Sequence, residues 1–215
     1  MLRFKLLKSA ISIFILVFSI YSTGDWTKLS LAHVSFAENM EDKHVKCVQR
    51  TAEIAIDVLI ATRSVIAKNQ KLINRDPISG NYYFKGFVPA VVGSQVANDF
   101  SLMTGYKLKQ TSLKLRNPAN APDEWEKKAL EILQSSSASK GVGFGEILET
   151  NDGEIYSYIK PIYAERACLD CHGEKDKVKP AIKQFLERKY PSDQAFGYKE
   201  GDLRGGISII ISLEH

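Results

Sequence analysis

The stretch Glu154-Ile155-Tyr156-Ser157-Tyr158-Ile159-Lys160-Pro161-Ile162 runs almost directly into Cys168-Leu169-Asp170-Cys171-His172. Its side chains alternate between two faces, which is the period of a β-strand. The turn signal Asn151-Asp152-Gly153 precedes it, and residues 144–149 show the same period before the turn. The sequence therefore predicts an antiparallel hairpin whose second strand leads to a segment rich in metal-binding side chains.

That segment has the residue types and spacing that attach a c-type haem. Two thiols separated by two residues add to the porphyrin vinyl groups, and the histidine that follows them ligates the iron. A redox dithiol, a local disulfide and half of a zinc site are the competing interpretations. A thioredoxin-like dithiol needs a strand before it and a helix that begins on it, and a structural zinc needs a second Cys/His pair. Neither context is evident, so we predict haem c bound by Cys168, Cys171 and His172.

Length and composition indicate one globular domain that follows a leader. The chain has 215 residues, 44% of them hydrophobic and 10% aromatic, which is enough for one well-filled core. The formal net charge is +4, but residues 1–37 hold four basic residues against Asp25 alone, and the remainder carries a net charge of +1. A nearly neutral domain is not expected to bind nucleic acid.

The N-terminus is typical of an export signal. Three basic residues in the first eight positions precede an apolar run at residues 11–20, which is too short to cross a bilayer comfortably. We predict a signal peptide at residues 1–37 that ends at Ala37, followed by a domain at residues 38–215. An uncleaved membrane anchor stays open, since Trp26 suits a membrane interface. Both alternatives place the domain outside the cytoplasm, periplasmic or otherwise extracytoplasmic, where c-type haem is attached.

The longest helical pattern in the chain covers residues 41–74. Apolar and small residues recur there in steps of four and three, which predicts one stripe of an amphipathic helix facing the core. The members of this stripe are Cys47, Thr51, Ile54, Val58, Ala61 and Val65.

Cys47 on this stripe is a candidate second axial ligand. A lone thiol is unusual in an oxidising compartment, and a thiolate ligates iron well. A plain core thiol and an intermolecular disulfide are the alternatives for Cys47. His44, three residues earlier, is a competing ligand. Met103 is another, although its place in an apolar helical stripe favours core packing.

Further helices and strands give an α+β pattern. A helix is expected to begin at Pro89 and end near Gly105, and another begins at Pro122. Residues 205–212 are rich in isoleucine, a β-branched residue, which predicts a central strand. A strand-like alternation covers residues 106–115.

Several polar and aromatic residues are further candidates for contact with the haem. Arg116 and Asn117 suit hydrogen bonds to haem propionates, although a polar turn that caps the next helix explains them as well. Three aromatic residues suit the walls of a haem pocket or, equally, packing in the core. They are Tyr190, Phe196 and Tyr198.

Many short motifs, in a fixed order over residues 45–212, carry a resemblance to a known family. The sequence resembles the mono-haem, PAS-like domain family long catalogued as of unknown function, which occurs as exported proteins and as input domains of sensor kinases. The motifs are Lys85-Gly86-Phe87-Val88-Pro89-Ala90, Thr104-Gly105-Tyr106-Lys107-Leu108-Lys109-Gln110-Thr111-Ser112, Arg116-Asn117-Pro118, Pro122-Asp123-Glu124-Trp125-Glu126, Lys160-Pro161-Ile162, Cys168-Leu169-Asp170-Cys171-His172-Gly173, Tyr190-Pro191-Ser192-Asp193, Ala195-Phe196-Gly197-Tyr198 and Gly201-Asp202-Leu203-Arg204-Gly205.

The resemblance implies an α+β fold with a five-stranded, PAS-like antiparallel sheet, flanking helices and a long N-terminal helix. It implies haem held by Cys168, Cys171 and His172. A cysteine on the first helix would then be the second axial ligand, which suggests that role for Cys47.

Two function classes follow. In a redox or diatomic-gas sensor, a change at the iron loosens or tightens an axial bond and shifts the helix that carries the ligand. In a low-potential electron carrier, two permanent axial ligands keep the iron six-coordinate. Either class needs a redox or signalling partner protein, and the membrane is a partner only if the leader is uncleaved. We expect no enzyme, because the sequence shows no acid–base group beside the haem segment.

Overall fold

The computed structural model describes residues 26–135 and 141–213, with side chains from residue 42 onward. The described residues have an α+β fold, as predicted, with a long N-terminal helix. The helices are α1 (Trp26–Lys68), α2 (Gln70–Ile73), α3 (Pro89–Thr104), α4 (Glu124–Ser135), α5 (Leu169–His172) and α6 (Pro180–Lys189), with 3₁₀ turns at Pro118–Asn120, Arg166–Cys168 and Lys175–Lys177; the strands are β1 (Lys107–Thr111), β2 (Phe144–Thr150), β3 (Gly153–Tyr163) and β4 (Leu203–Ser212).

The four strands form one antiparallel sheet in the order β1-β4-β3-β2. The last strand is central, as its β-branched residues predicted: Ile209 pairs with Leu108 of β1 and with Tyr158 of β3. The predicted hairpin is confirmed as β2 and β3. The family resemblance implied five strands, and this expectation is corrected to four within the described residues.

Two glycines make room for the tyrosines of this hairpin. Gly145 pairs with Tyr158 across the two strands. A Cβ atom at Gly143 would collide with the phenol group of Tyr158, and one at Gly145 would collide with that of Tyr156. The rings of Tyr156 and Tyr158 lie nearly parallel, with centroids 6.3 Å apart. Glycines at and just before the start of β2 therefore leave room for both tyrosine rings.

The chain divides into two units, residues 1–47 and 48–215, and the sheet belongs to the second. The main core of this unit joins α1 to the sheet. Ala52, Ile56 and Leu59 of α1 are 0%, 0% and 1% exposed, and they share a core cluster with the isoleucines of β4. These α1 residues are spaced by four and three positions, which places them on one face of the helix.

The face of α1 predicted to be buried is the wrong one. Ile54, Val58 and Val65 are 49%, 59% and 58% exposed, and Cys47 is exposed as well. Two positions along an α-helix turn by about 200°, so Ile54 and Ile56 lie on nearly opposite faces. The row that contains Ile54 and the row that contains Ile56 both have helical spacing. Which row is buried depends on how the helix packs against the sheet. Met103, which was also expected to pack in the core, is 85% exposed.

A buried carboxylate anchors α4 to the sheet. The side chain of Glu126 is 2% exposed and lies 2.8 Å from Lys109 Nζ on β1. It also accepts a hydrogen bond from the hydroxyl of Ser208 on β4. Asp123 and Glu126 exchange hydrogen bonds in a capping box, Glu126 N to Asp123 Oδ1 at 2.7 Å and Asp123 N to Glu126 Oε2 at 2.8 Å. One carboxylate thus caps a helix and joins two strands to it.

The predicted signal peptide lies largely outside the described residues, which begin at Trp26. This includes the apolar run at residues 11–20. Among the helices that the structure describes, none is long and apolar enough to span a membrane.

Candidate functional site

The cysteine- and histidine-containing segment follows β3 by way of two short helical turns. After Tyr163 the chain is held to the start of β4 by a hydrogen bond from Ala164 N to the carbonyl oxygen of Asp202, 2.8 Å long. A 3₁₀ turn then ends at Cys168, and α5 continues to His172. Because residues three and four apart lie on one side of a helical turn, the fold brings Cys168, Cys171 and His172 to a common side.

The imidazole of His172 is held through one ring nitrogen. Its Nδ1 atom lies 2.8 Å from the carbonyl oxygen of Ala195, so the tautomer with hydrogen on Nδ1 donates to this carbonyl. Burial lowers the pKa of His172 to about 2, with the positive charges of Arg204 and Arg116 acting in the same direction. The ring is therefore neutral and keeps a lone pair on Nε2. A metal-ligating histidine needs this state and commonly makes this type of outer hydrogen bond.

Cys168 and Cys171 are partly buried thiols with no disulfide between them. Burial raises the pKa of Cys171, although Arg116 opposes the shift. In the part of the chain that is described, no group of three or more His, Cys, Asp or Glu residues is arranged for a metal ion.

Arg116 ties the segment to a loop at residues 193–198. Its Nε donates to Asp193 Oδ2 at 2.7 Å, and its Nη2 donates to the carbonyl oxygen of Cys171 at 2.6 Å. Asp193 Oδ1 in turn accepts from Ala195 N at 2.8 Å. Arg116 therefore supports both Cys171 and the loop residue whose carbonyl holds His172.

Backbone hydrogen bonds complete this connection. Tyr198 N donates to the carbonyl oxygen of His172 at 3.0 Å, and Gly197 N donates to that of Gly173 at 2.9 Å. The loop therefore runs alongside α5 and fixes it from one side.

The three predicted aromatic residues all lie near this segment. Tyr198 meets His172 edge to face, with ring centroids 6.1 Å apart, and it belongs to a cluster that Cys168 packs against. Tyr190 and Phe196 pack, together with Cys171, against the buried face of α6. The structure thus brings the aromatic candidates together around both cysteines.

Arg116 and Asn117 have structural roles that the sequence left open. The guanidinium of Arg116 uses Nε and Nη2 in the contacts above. The side-chain oxygen of Asn117 accepts from Ala119 N at 3.2 Å and caps the 3₁₀ turn Pro118–Asn120. The helix that contains Trp125 is capped by Asp123 instead, so the expected cap of that helix by the polar turn at Asn117 is wrong. Contact of either residue with haem propionates stays a prediction.

Sequence reasoning assigned no role to Arg63, Asp193, Ala195 or Arg204, all of which influence the site. The charges of Arg63 and Arg204 both act on His172, while Asp193 and Ala195 form the hydrogen bonds described above. Three of these residues lie within the short motifs that carry the family resemblance, and those motifs were the available signal. No sequence signal pointed to Arg63, because it is a single basic residue inside a long helical pattern.

A cavity of about 600 Å³ is lined in part by Tyr198. Its lining includes Lys114, Leu133 and Asp202 but none of the residues from Cys168 to His172. The cavity is therefore distinct from the cysteine- and histidine-containing segment.

The residues of the site fit a covalently attached haem. Cys168 and Cys171 are thiols on one helical turn. His172 has a neutral ring with Nδ1 bound to Ala195 and Nε2 left for a metal. Aromatic and aliphatic side chains surround both cysteines. This donor set matches the chemistry of thioether attachment and histidine ligation.

Fold and site together define an α+β domain that carries a Cys-X-X-Cys-His segment after its longest strand. The chain belongs to the Tll0287-like family, whose model matches residues 42–212, and this confirms the resemblance inferred from the motifs. The fold is similar to that in the crystal structure of the cyanobacterial heme-protein Tll0287, with a TM-score of 0.57 and 24% sequence identity over 74% of this chain and 92% of that one. No curated protein matches the chain.

Proposed function

We propose that this protein is an exported mono-haem c-type cytochrome that acts as a redox or diatomic-gas sensor. The observation that carries the haem assignment is the 2.8 Å contact from His172 Nδ1 to the carbonyl oxygen of Ala195, on the same helical turn as two thiols. Cys168 and Cys171 would form the thioether links, and His172 Nε2 would bind the iron. The bound haem supplies a one-electron iron couple and a position for a small ligand.

Cys47 is our proposed second axial ligand, with His44 as its competitor. The family resemblance supports Cys47, which is exposed on α1. A thiolate neutralises part of the charge on ferric iron and so gives a low reduction potential. Cys47 lies on α1, and loss or gain of its bond to the iron is a local change that one helix can transmit to a signalling partner.

A low-potential electron carrier is the second candidate, and the contacts around His172 favour it. The carbonyl of Ala195, the carboxylate of Asp193 and the guanidinium of Arg116 form a connected, partly buried network. A rigidly held ligand moves little when the iron changes oxidation state, which suits electron transfer. In both candidates His172 would hold the haem iron, and neither includes an enzymatic reaction.

Covalent attachment is tested by expressing the protein together with a c-type cytochrome assembly system. We expect a coloured product whose mass exceeds that of the polypeptide by one haem and stays so under denaturing conditions. Cys168→Ser and Cys171→Ser should each leave a single thioether link, and the double variant none. A colourless wild type with the mass of the polypeptide alone would reject the proposal.

Ligand binding to the reduced protein separates sensor from carrier. A sensor should bind carbon monoxide or nitric oxide, or change its axial ligation on reduction, and the absorption spectrum reports both. A carrier should show the same six-coordinate spectrum with and without either gas. If neither gas changes the spectrum of the reduced protein, and the axial ligation is the same in both oxidation states, the protein is an electron carrier and the sensor proposal fails.

A further inference from the structure

Among the residues that the structure describes, Arg63 and Arg204 near His172 have no acidic partner in an ion pair. Arg204 on β4 donates from Nη1 to Ser112 Oγ at 2.8 Å, and its guanidinium carbon lies 5.2 Å from the ring centroid of Tyr198. Its Nε is buried and has no hydrogen-bond partner in the described part of the chain. Arg63 on α1 is partly buried, and neither arginine forms an ion pair with any residue that the structure describes.

Positive and negative groups both act on these arginines, since Tyr198 and Asp193 oppose the lowered pKa of Arg204. Burial lowers the pKa of Arg63 to about 10, with Cys168 opposing the shift and Arg204 adding to it. Burial is also the main cause that lowers the pKa of Arg204, and the charge of Arg116 contributes. The nearby carboxylate of Asp193 is already bonded to Arg116 at 2.7 Å. Unpaired cations in a partly buried position are unfavourable, so this region is built to receive an anion.

We infer that Arg63 and Arg204 bind the two propionate carboxylates of the haem attached to Cys168 and Cys171. This inference rests on the proposed haem attachment. Guanidinium groups bind carboxylates through paired, charge-assisted hydrogen bonds, and the buried Nε of Arg204 is a donor with no other partner. Arg116 is less suited, because its Nε and Nη2 already bind Asp193 and Cys171.

The positive charges of Arg63 and Arg204 can be tested through the reduction potential of the intact haem protein. Arg63→Met and Arg204→Met each remove one cation that stabilises the reduced, less positive iron. We expect each to shift the reduction equilibrium toward the ferric form by roughly tenfold, which corresponds to about 59 mV for one electron. Loss of the cation also raises the pKa of a propionate, so the reduction potential should become more dependent on pH between about 5 and 8.

Arg50→Met is the matched control, because Arg50 lies on the same helix with a side chain that is 71% exposed. It should leave the potential and its pH dependence unchanged. Arg63→Lys keeps the charge and should retain most of the wild-type potential, which separates the effect of charge from that of packing. Potentials for Arg63→Met and Arg204→Met that equal that of Arg50→Met would overturn the inference.

The mass of each variant distinguishes this inference from the proposed function. If the wild type carries no haem, the proposed function itself fails. If all variants carry haem but their reduction potentials equal that of the wild type, the assignment of the propionates fails and the proposed function stands. A free anion such as chloride at the arginines would instead make the wild-type potential depend on chloride at constant ionic strength, and that result would also overturn the assignment.

Discussion

The Nδ1 atom of His172 lies 2.8 Å from the carbonyl oxygen of Ala195, a residue 23 positions later in the chain. This contact fixes the orientation and tautomer of the ring through the protein alone. Tyr198 N also donates to the carbonyl oxygen of His172, so the loop binds the histidine through both backbone and side chain. The protein alone therefore orients Nε2, the nitrogen that we propose as the iron ligand.

Arg116 stabilises this arrangement, and we predict that Arg116→Met lowers the free energy of unfolding by about 3 kcal/mol. The side chains of Arg116 and Asp193 are 13% and 6% exposed. Removing the cation leaves the carboxylate of Asp193 buried without its partner. Urea unfolding followed by circular dichroism measures the loss. Acid titration of the absorption spectrum should also show the bond from His172 to the iron breaking at a higher pH.

A double-mutant cycle isolates this ion pair. Arg116→Met combined with Asp193→Asn should be less destabilised than the sum of the two single variants, because no unpaired charge remains. The exposed pair of Arg50 and Glu53 is the surface control, and Arg50→Met should change stability by less than about 0.5 kcal/mol. Additive single effects would show that Arg116 and Asp193 act independently.

Features that depend on residues close together in the sequence, such as helix ends and hairpin turns, were predicted correctly. The helix that begins at Pro89 ends at Gly105, which has a φ of 78° that glycine readily adopts. The hairpin of β2 and β3 formed around the predicted turn. The spacing of Cys168, Cys171 and His172 is also local, and the structure brings these residues to one side of α5.

The remaining features depend on contacts between distant residues. Two rows of apolar residues on α1 have the same spacing, and the sheet buries the row with Ile56 instead of the row with Ile54. Arg116 and Asp193 are 77 positions apart, and Ser112 and Arg204 are 92 positions apart. Residue periodicity carries no information on such pairs, because they meet only when the strands and loops are assembled.

Cys47→Ala tests the second axial ligand. If the Cys47 thiolate binds iron, the substitution should remove the thiolate features from the absorption and paramagnetic resonance spectra of the ferric protein. The reduction potential should rise, because the thiolate stabilises ferric iron, and carbon monoxide should bind the open position in the reduced protein. His44→Gln is the paired variant and should leave the spectra unchanged. Spectra of Cys47→Ala that match the wild type would assign the ligand elsewhere.

We predict that the folded protein loses stability in alkaline solution because Tyr158 is buried. Burial raises the pKa of Tyr158 to about 12, with the negative charges of Glu53, Tyr156 and Asp57 adding to the shift. The unfolded chain loses this proton near pH 10, whereas the folded chain keeps it, so stability falls as the pH rises from about 10 to 12.

Tyr158→Phe checks this sign. Urea unfolding between pH 8.5 and 11.5 should show a steeper decline for the wild type than for the variant. The difference in slope should lie below the limit of about 1.4 kcal/mol per pH unit for one group, because solvent screens part of the effect. Equal slopes would show that Tyr158 ionises at the same pH in the folded and unfolded chains.

Glu126 gives the last prediction, on the junction of α4 with the sheet. Its carboxylate lies 2.8 Å from Lys109 Nζ and accepts hydrogen bonds from Ser208 Oγ and Asp123 N. Glu126→Gln keeps the size of the side chain but removes the charge, so it should lower the free energy of unfolding by about 2 kcal/mol. Glu124→Gln, at an exposed position of the same helix turn, should change it by less than about 0.5 kcal/mol. Equal effects of the two substitutions in urea unfolding would mean that the ion pair with Lys109 does not stabilise the fold.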